Sequence, residues 1–141
     1  KLVILNFWSC ECPHVARTDQ RILSYLKEWG KQVVLLPLAA NANEPLDQLK
    51  LIARQRGLPL VLHDREHQVA DLYGAVTTPH LFVIDQEGIL RYQGAFDDVT
   101  FKQRTPTREY LREAVEAVLR GQIPDPDQTP AYGCTIVRYA I

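Results

Sequence analysis

The chain has 141 residues, enough for one domain with a single proper core. Apolar residues make up 46% and charged residues 23%, a globular rather than a disordered composition. The net charge is −1 with no block of like charges, which points away from nucleic-acid and charged-membrane partners. Three cysteines are too few to staple a domain of this size, and an odd count leaves one thiol free within a single chain, a pattern suited to transient or catalytic thiol chemistry. The longest apolar runs, such as VVLLPLAA, are too short to span a bilayer. The chain opens inside a strand-like run without an initiator methionine and reads as a fragment or processed product of a soluble protein, cytoplasmic or extracytoplasmic, with no oligomeric state preferred.

The apolar run Leu2 to Trp8 predicts a strand buried on both faces. Pro13 fits the first turn of a helix, and Val15, Ile22, Leu23, Leu26 and Trp29 follow at helical spacing up to Gly30. Gln32 to Ala39 predicts a second buried strand, and Pro45 to Arg56 a helix with Leu46, Leu49, Ile52 and Ala53 on one face. A short strand is expected over Leu58 to Asp64 and a short helix over Glu66 to Gly74. Strands over His80 to Asp85 and Ile89 to Gly94 are joined by Gln86-Glu87-Gly88, a hairpin signal. Thr107 to Arg120 carries the clearest helical stripe, closed by Gly121. A proline-rich lead then precedes a last expected strand, Cys134 to Ile141. The order β-α-β-α-β-α-β-β-α implies an α/β fold with a mixed central sheet and helices on both faces. The expected organisation is one domain over 1–121 and an extension over 122–141 packed on it.

The chemistry concentrates in Cys10-Glu11-Cys12-Pro13-His14. Cys12 falls where a buried strand meets a helix, the place where reactive groups gather in such sheets. With Pro13 as the first helical residue, Cys12 is the N-cap. Its sulfur is expected to face unsatisfied backbone N–H groups and the positive end of the helix dipole, which favour the thiolate that attacks disulfides. Pro79 stands directly before a buried strand, where it fits a cis bond in a tight turn across from Cys12. His14 and His80 are candidates to tune Cys12 or bind metal, and Glu11 is a candidate proton acceptor. His63 and His67 read as surface residues, and Asp97-Asp98 as a loop terminus rather than an acid–base pair.

The strand–FWSCECPHV–helix segment together with YGAVTTPHLFVID resembles the thioredoxin superfamily, and within it the redoxin branch of alkyl hydroperoxide reductase/thiol-specific antioxidant proteins. The tail TPAYGCTIVRY is similar to a subgroup that ends in a proline-rich segment and a Gly-Cys strand. The resemblance implies a thioredoxin-like fold with an extra strand–helix insertion near Ala40 to Gly57. It makes Pro79 the cis proline, Cys12 the first cysteine of the family dithiol, and Trp8, Pro13, Thr78 and Pro79 the site wall. The family's second cysteine falls on Val15, so the usual resolving thiol is missing. A peroxiredoxin alignment places Ser9 at that family's Thr/Ser position, but puts its arginine on Pro79 and its upstream proline on Leu5.

The leading expectation is a thiol-disulfide oxidoreductase, with no cofactor, acting on protein or small-molecule thiols and disulfides. Cys12 is the nucleophile, and Cys134 resolves it ahead of Cys10, whose Cys-x-Cys ring is small for a disulfide. One alternative is a thiol peroxidase passing through a Cys12 sulfenic acid. Others are a copper or zinc binder using Cys10, Cys12 and His14 or His80, and a binding module whose cysteines are incidental.

Overall fold

A computed structural model describes residues 1–139. Strand β1 (Leu2–Trp8) lies at the centre of a five-stranded sheet, parallel to β2 (Val33–Ala39) on one side and antiparallel to β5 (Leu81–Ile84) on the other. Strand β3 (Leu62–His63) continues the parallel side and β6 (Leu90–Gly94) the antiparallel side, giving the order β3-β2-β1-β5-β6. This is the mixed sheet of a thioredoxin-like α/β fold. Period-two alternation explains why β1 is apolar on both faces. Leu2 and Ile4 pack with Leu81, Val83 and Tyr92 under helices α1 (Pro13–Trp29) and α4 (Tyr110–Leu119), through Ile22, Leu111 and Val115. Leu5 and Phe7 pack on the other face with Phe82, with Ala70 of helix α3 (Gln68–Tyr73), and with Ile136 from the tail. Helix α2 (Leu46–Gln55) closes a third cluster of Trp8, Val15, Ala39 and Leu49. Among the described residues, no helix is long and apolar enough to cross a membrane.

Several boundaries differ from the sequence expectation, each for a local reason. The strand expected over Leu58 to Asp64 shrinks to Leu62–His63, because Leu58 folds back and its N–H donates to the Ala53 carbonyl, closing α2. The expected strand–helix insertion near Ala40 to Gly57 contains only α2. The helix expected from Glu66 is preceded by a tight turn with positive φ at Glu66 and His67, and the Asp64 carboxylate accepts from the N–H groups of Val69 and Ala70 at 2.9 and 2.8 Å. The last long helix starts at Tyr110 rather than Thr107, since the Thr107 N–H and hydroxyl are both held by Asp98.

The tail runs back over the domain. The Gln93 N–H donates to the Asp127 carbonyl and the Thr129 N–H to the Gln93 carbonyl, so the proline-rich lead covers the open edge of β6. The strand expected from Cys134 to Ile141 is reduced to β7 (Cys134–Thr135), which pairs antiparallel with β4 (Thr77–Thr78). Beyond it the backbone turns to other partners. Ile136 N–H donates to the Val76 carbonyl, and Val137 N–H donates to Asn41 Oδ1. The final residues of that expected strand, 140–141, lie outside the described residues.

Gly94 sits at φ +143, and a Cβ there would run into the backbone and hydroxyl oxygens of Thr129. Gly94→Ala is therefore expected to lift the lead off β6. The expected cost is about 1–3 kcal/mol in urea denaturation, with faster trypsin cleavage of the tail as the second readout.

Candidate active site

The site forms at the carboxyl end of β1, where the strand hands over to α1. Cys12 is the N-cap residue of α1 with extended φ and ψ, and Pro13 is the first helical residue. The Cys12 sulfur makes no capping bond to the helix. It points across to the cis Thr78–Pro79 peptide and donates to the Thr78 carbonyl at 3.2 Å. The expectation that its sulfur faces the first N–H groups of α1 is thus corrected; in the turn before the helix, the Ser9 hydroxyl accepts from the Glu11 and Cys12 N–H groups at 3.2 and 3.3 Å.

The pairing of β4 with β7 sets Thr78 opposite Cys134, and the Cys134 sulfur lies 2.6 Å from that of Cys12. Gly133 makes this approach feasible, because a Cβ there would run into the Thr78 carbonyl. Cys12 is 2% exposed, whereas Cys134 is half-buried. Burial, the adjoining Cys12 and the nearby Glu44 push the Cys134 thiol up to about 11.

Cys10 is held elsewhere. It is buried, its N–H donates to Glu44 Oε1 at 3.3 Å, and Glu44 also accepts a short hydrogen bond from the Ser9 hydroxyl. Burial first, then the Glu44 and Glu11 carboxylates, push the Cys10 thiol up to about 11. Val15, at the family's second-cysteine position, is fully buried in the core. Trp8 is also fully buried, and its Nε1 donates to Asp19 Oδ2 at 2.7 Å, so it supports the site from beneath. Among the described residues, no three His, Cys, Asp or Glu side chains converge on a metal position. His14 packs edge-on against Tyr132, and His80 Nδ1 accepts from the Val76 N–H behind the cis proline, where burial lowers its pKa to about 4.

Sequence reasoning missed three supporting residues. Arg56 donates to the carbonyls of Ser9 and Cys10 and to Asp19 Oδ2, and its guanidinium lies 5.3 Å over the Trp8 ring. Asp19 was legible as an acid between Val15 and Ile22 on the apolar stripe of α1. Glu44 and Arg56 carry no comparable signal, since each acts from a loop or a helix end that only the fold brings near.

Residues 1–93 match the AhpC/TSA family. The chain belongs to that family. It is 36% identical over 124 residues to the thiol-disulfide oxidoreductase ResA of Geobacillus thermodenitrificans, covering 84% of this chain and 63% of the relative. It is 31% identical over 97 residues to the thiol:disulfide interchange protein DsbE of Tatumella citrea, covering 69% of this chain and 51% of the relative. The chain thus spans about half to two-thirds the length of these relatives. A solved structure of a hypothetical protein from Sinorhizobium meliloti 1021 superposes with a TM-score of 0.85 at 28% identity, covering 99% of this chain and 80% of that one.

Asp19 gives this AhpC/TSA domain a pH signature. Burial raises its pKa from the ordinary 3.8 to about 6, against the opposing hydrogen bonds from Trp8 and Arg56. Between those values the native state holds the proton that the unfolded chain has released, so this group makes stability fall as pH rises through the window. Asp19→Asn removes the effect. Urea denaturation of the two proteins is expected to show the variant gaining on the wild type by on the order of 2 kcal/mol from pH 4 to pH 7; an unchanged difference would mean that Asp19 titrates normally.

Proposed function

We propose that this domain is a thiol-disulfide oxidoreductase in which Cys12 is the attacking thiolate and Cys134 the resolving thiol. Its substrates are protein or small-molecule disulfides. The observation that carries the proposal is the 2.6 Å approach of the two sulfurs beneath the Thr78 carbonyl. The thiol-disulfide names of ResA and DsbE support the same reaction class.

Cys12 bonds to one sulfur of the substrate disulfide, and the other sulfur leaves with the electron pair and takes a proton. Cys134 then attacks the Cys12 sulfur and expels the second substrate thiol. The substrate gains two electrons, and the protein retains a Cys12–Cys134 disulfide. Because Cys12 is 2% exposed, the β4–β7 pairing parts before the first step, and that pairing is only two residues long. The Thr77–Thr78 edge so released can take an extended substrate segment as an added strand beside Pro79. Cys10 takes no part, since the Ser9–Cys10 turn is held on Glu44 and Cys134, not Cys10, is the thiol in contact with the Cys12 sulfur.

Insulin reduction driven by a dithiol tests this assignment. Cys12→Ser is expected to fall to the uncatalysed rate. Cys134→Ser is expected to accumulate a mixed disulfide with the substrate, visible as a shifted band on a non-reducing gel. Wild-type turnover by Cys12→Ser would defeat the reading.

A further inference from the structure

We propose that the thiol which returns the oxidised protein to its reduced form attacks Cys134, the outer sulfur of the Cys12–Cys134 bond, and that Cys12 is the group expelled. This rests on the thiol-disulfide reading above and adds that the oxidised state is entered through Cys12 and left through Cys134.

Access is the first argument. Cys12 is 2% exposed and packs in the cluster of Trp8, Cys10, Val15, Ala39 and Leu49, with Thr78 and Cys134 closing its remaining side. Cys134 is half-buried, as are Tyr132 and Gly133 before it, and Thr135 after it is exposed. An incoming thiolate that meets the closed tail therefore encounters the Cys134 sulfur first. Reaching Cys12 requires the tail to lift, and a disulfide between the two residues ties the tail down. The motion that serves the reduced protein is thus unavailable to the oxidised one.

Leaving-group chemistry points the same way. Exchange is faster when the departing sulfur is the less basic one. Attack on Cys12 would expel Cys134, whose thiol is pushed up to about 11 by burial and its neighbours. Attack on Cys134 instead leaves the electron pair on Cys12 and spares the expulsion of Cys134.

The step balances with a dithiol as reductant. Its first thiolate bonds to Cys134 Sγ while the Cys12–Cys134 bond breaks with its electron pair on Cys12. The second thiol of the reductant, deprotonated, then closes the reductant's own disulfide. Cys134 departs as a thiolate and takes up a proton. Two electrons pass from the dithiol, which ends as a disulfide, to the protein, which ends with both thiols reduced.

The test uses a monothiol, which halts the sequence at the mixed disulfide. The protein is oxidised, the Cys12–Cys134 bond is verified by peptide mapping, and excess 2-mercaptoethanol is added at pH 7. Samples are quenched in acid at successive times, alkylated with N-ethylmaleimide and mapped. Extrapolated to the earliest times, 2-mercaptoethanol is expected on Cys134 and maleimide on Cys12, in about tenfold excess over the reverse pattern. Early adduct on Cys12 with maleimide on Cys134 would overturn the proposal. So would a bond that survives the thiol intact, because the outer sulfur would then be closed to attack. Failure of the Cys12–Cys134 bond to form at all would instead sink the thiol-disulfide reading beneath it.

Discussion

The Thr78 carbonyl is the point on which the site depends. It accepts from the Cys12 sulfur, belongs to the residue paired with Cys134, and is approached so closely by Gly133 that no side chain fits between them. Its own position is set by the sheet. The Phe7 N–H donates to the His80 carbonyl at 3.1 Å, and Asn6 pairs with Leu81, so the turn carrying Thr78 and Pro79 is tied to the end of β1 that delivers Cys12. Two sulfurs separated by 122 residues of chain meet because both are referred to that one peptide group.

Behind the sulfurs, buried charge holds the loop that presents them. Arg56 gathers the Ser9 and Cys10 carbonyls and the Asp19 carboxylate, while Glu44 takes the Ser9 hydroxyl and the Cys10 N–H. A half-buried cation and a buried carboxylate are tolerable only with such partners. The arrangement also separates the thiols chemically. Burial first, with Glu44 adding to it, raises the pKa of both Cys10 and Cys134.

Much of the fold was legible because β1 and β2 are apolar on both faces and α1 carries a clean helical stripe ended by glycine. The strand-to-helix junction at Cys12 and the cis turn at Pro79 were legible for the same reason: each rests on local backbone chemistry. The strand boundaries that moved did so through tertiary hydrogen bonds, as where Asp98 holds Thr107 out of α4 and Asn41 draws Val137 out of β7. The orientation of the Cys12 sulfur was not legible, since it is decided by a carbonyl 66 residues away rather than by its own helix. Glu44 and Arg56 were hidden for the same kind of reason.

The tail is stitched down at two places, at Thr129 on β6 and at Ile136 on the Val76 carbonyl. The stretch between them is a strap with fixed ends, about six residues that span at most roughly 20 Å when fully extended. Cys134 therefore swings on an arc rather than departing. While both anchors hold, its effective concentration at Cys12 stays on the order of millimolar or higher, whatever the surrounding thiols do. In the proposed cycle a mixed disulfide on Cys12 would be short-lived by construction, and a bound substrate would be released by the strap's return instead of by chance encounter with a second molecule.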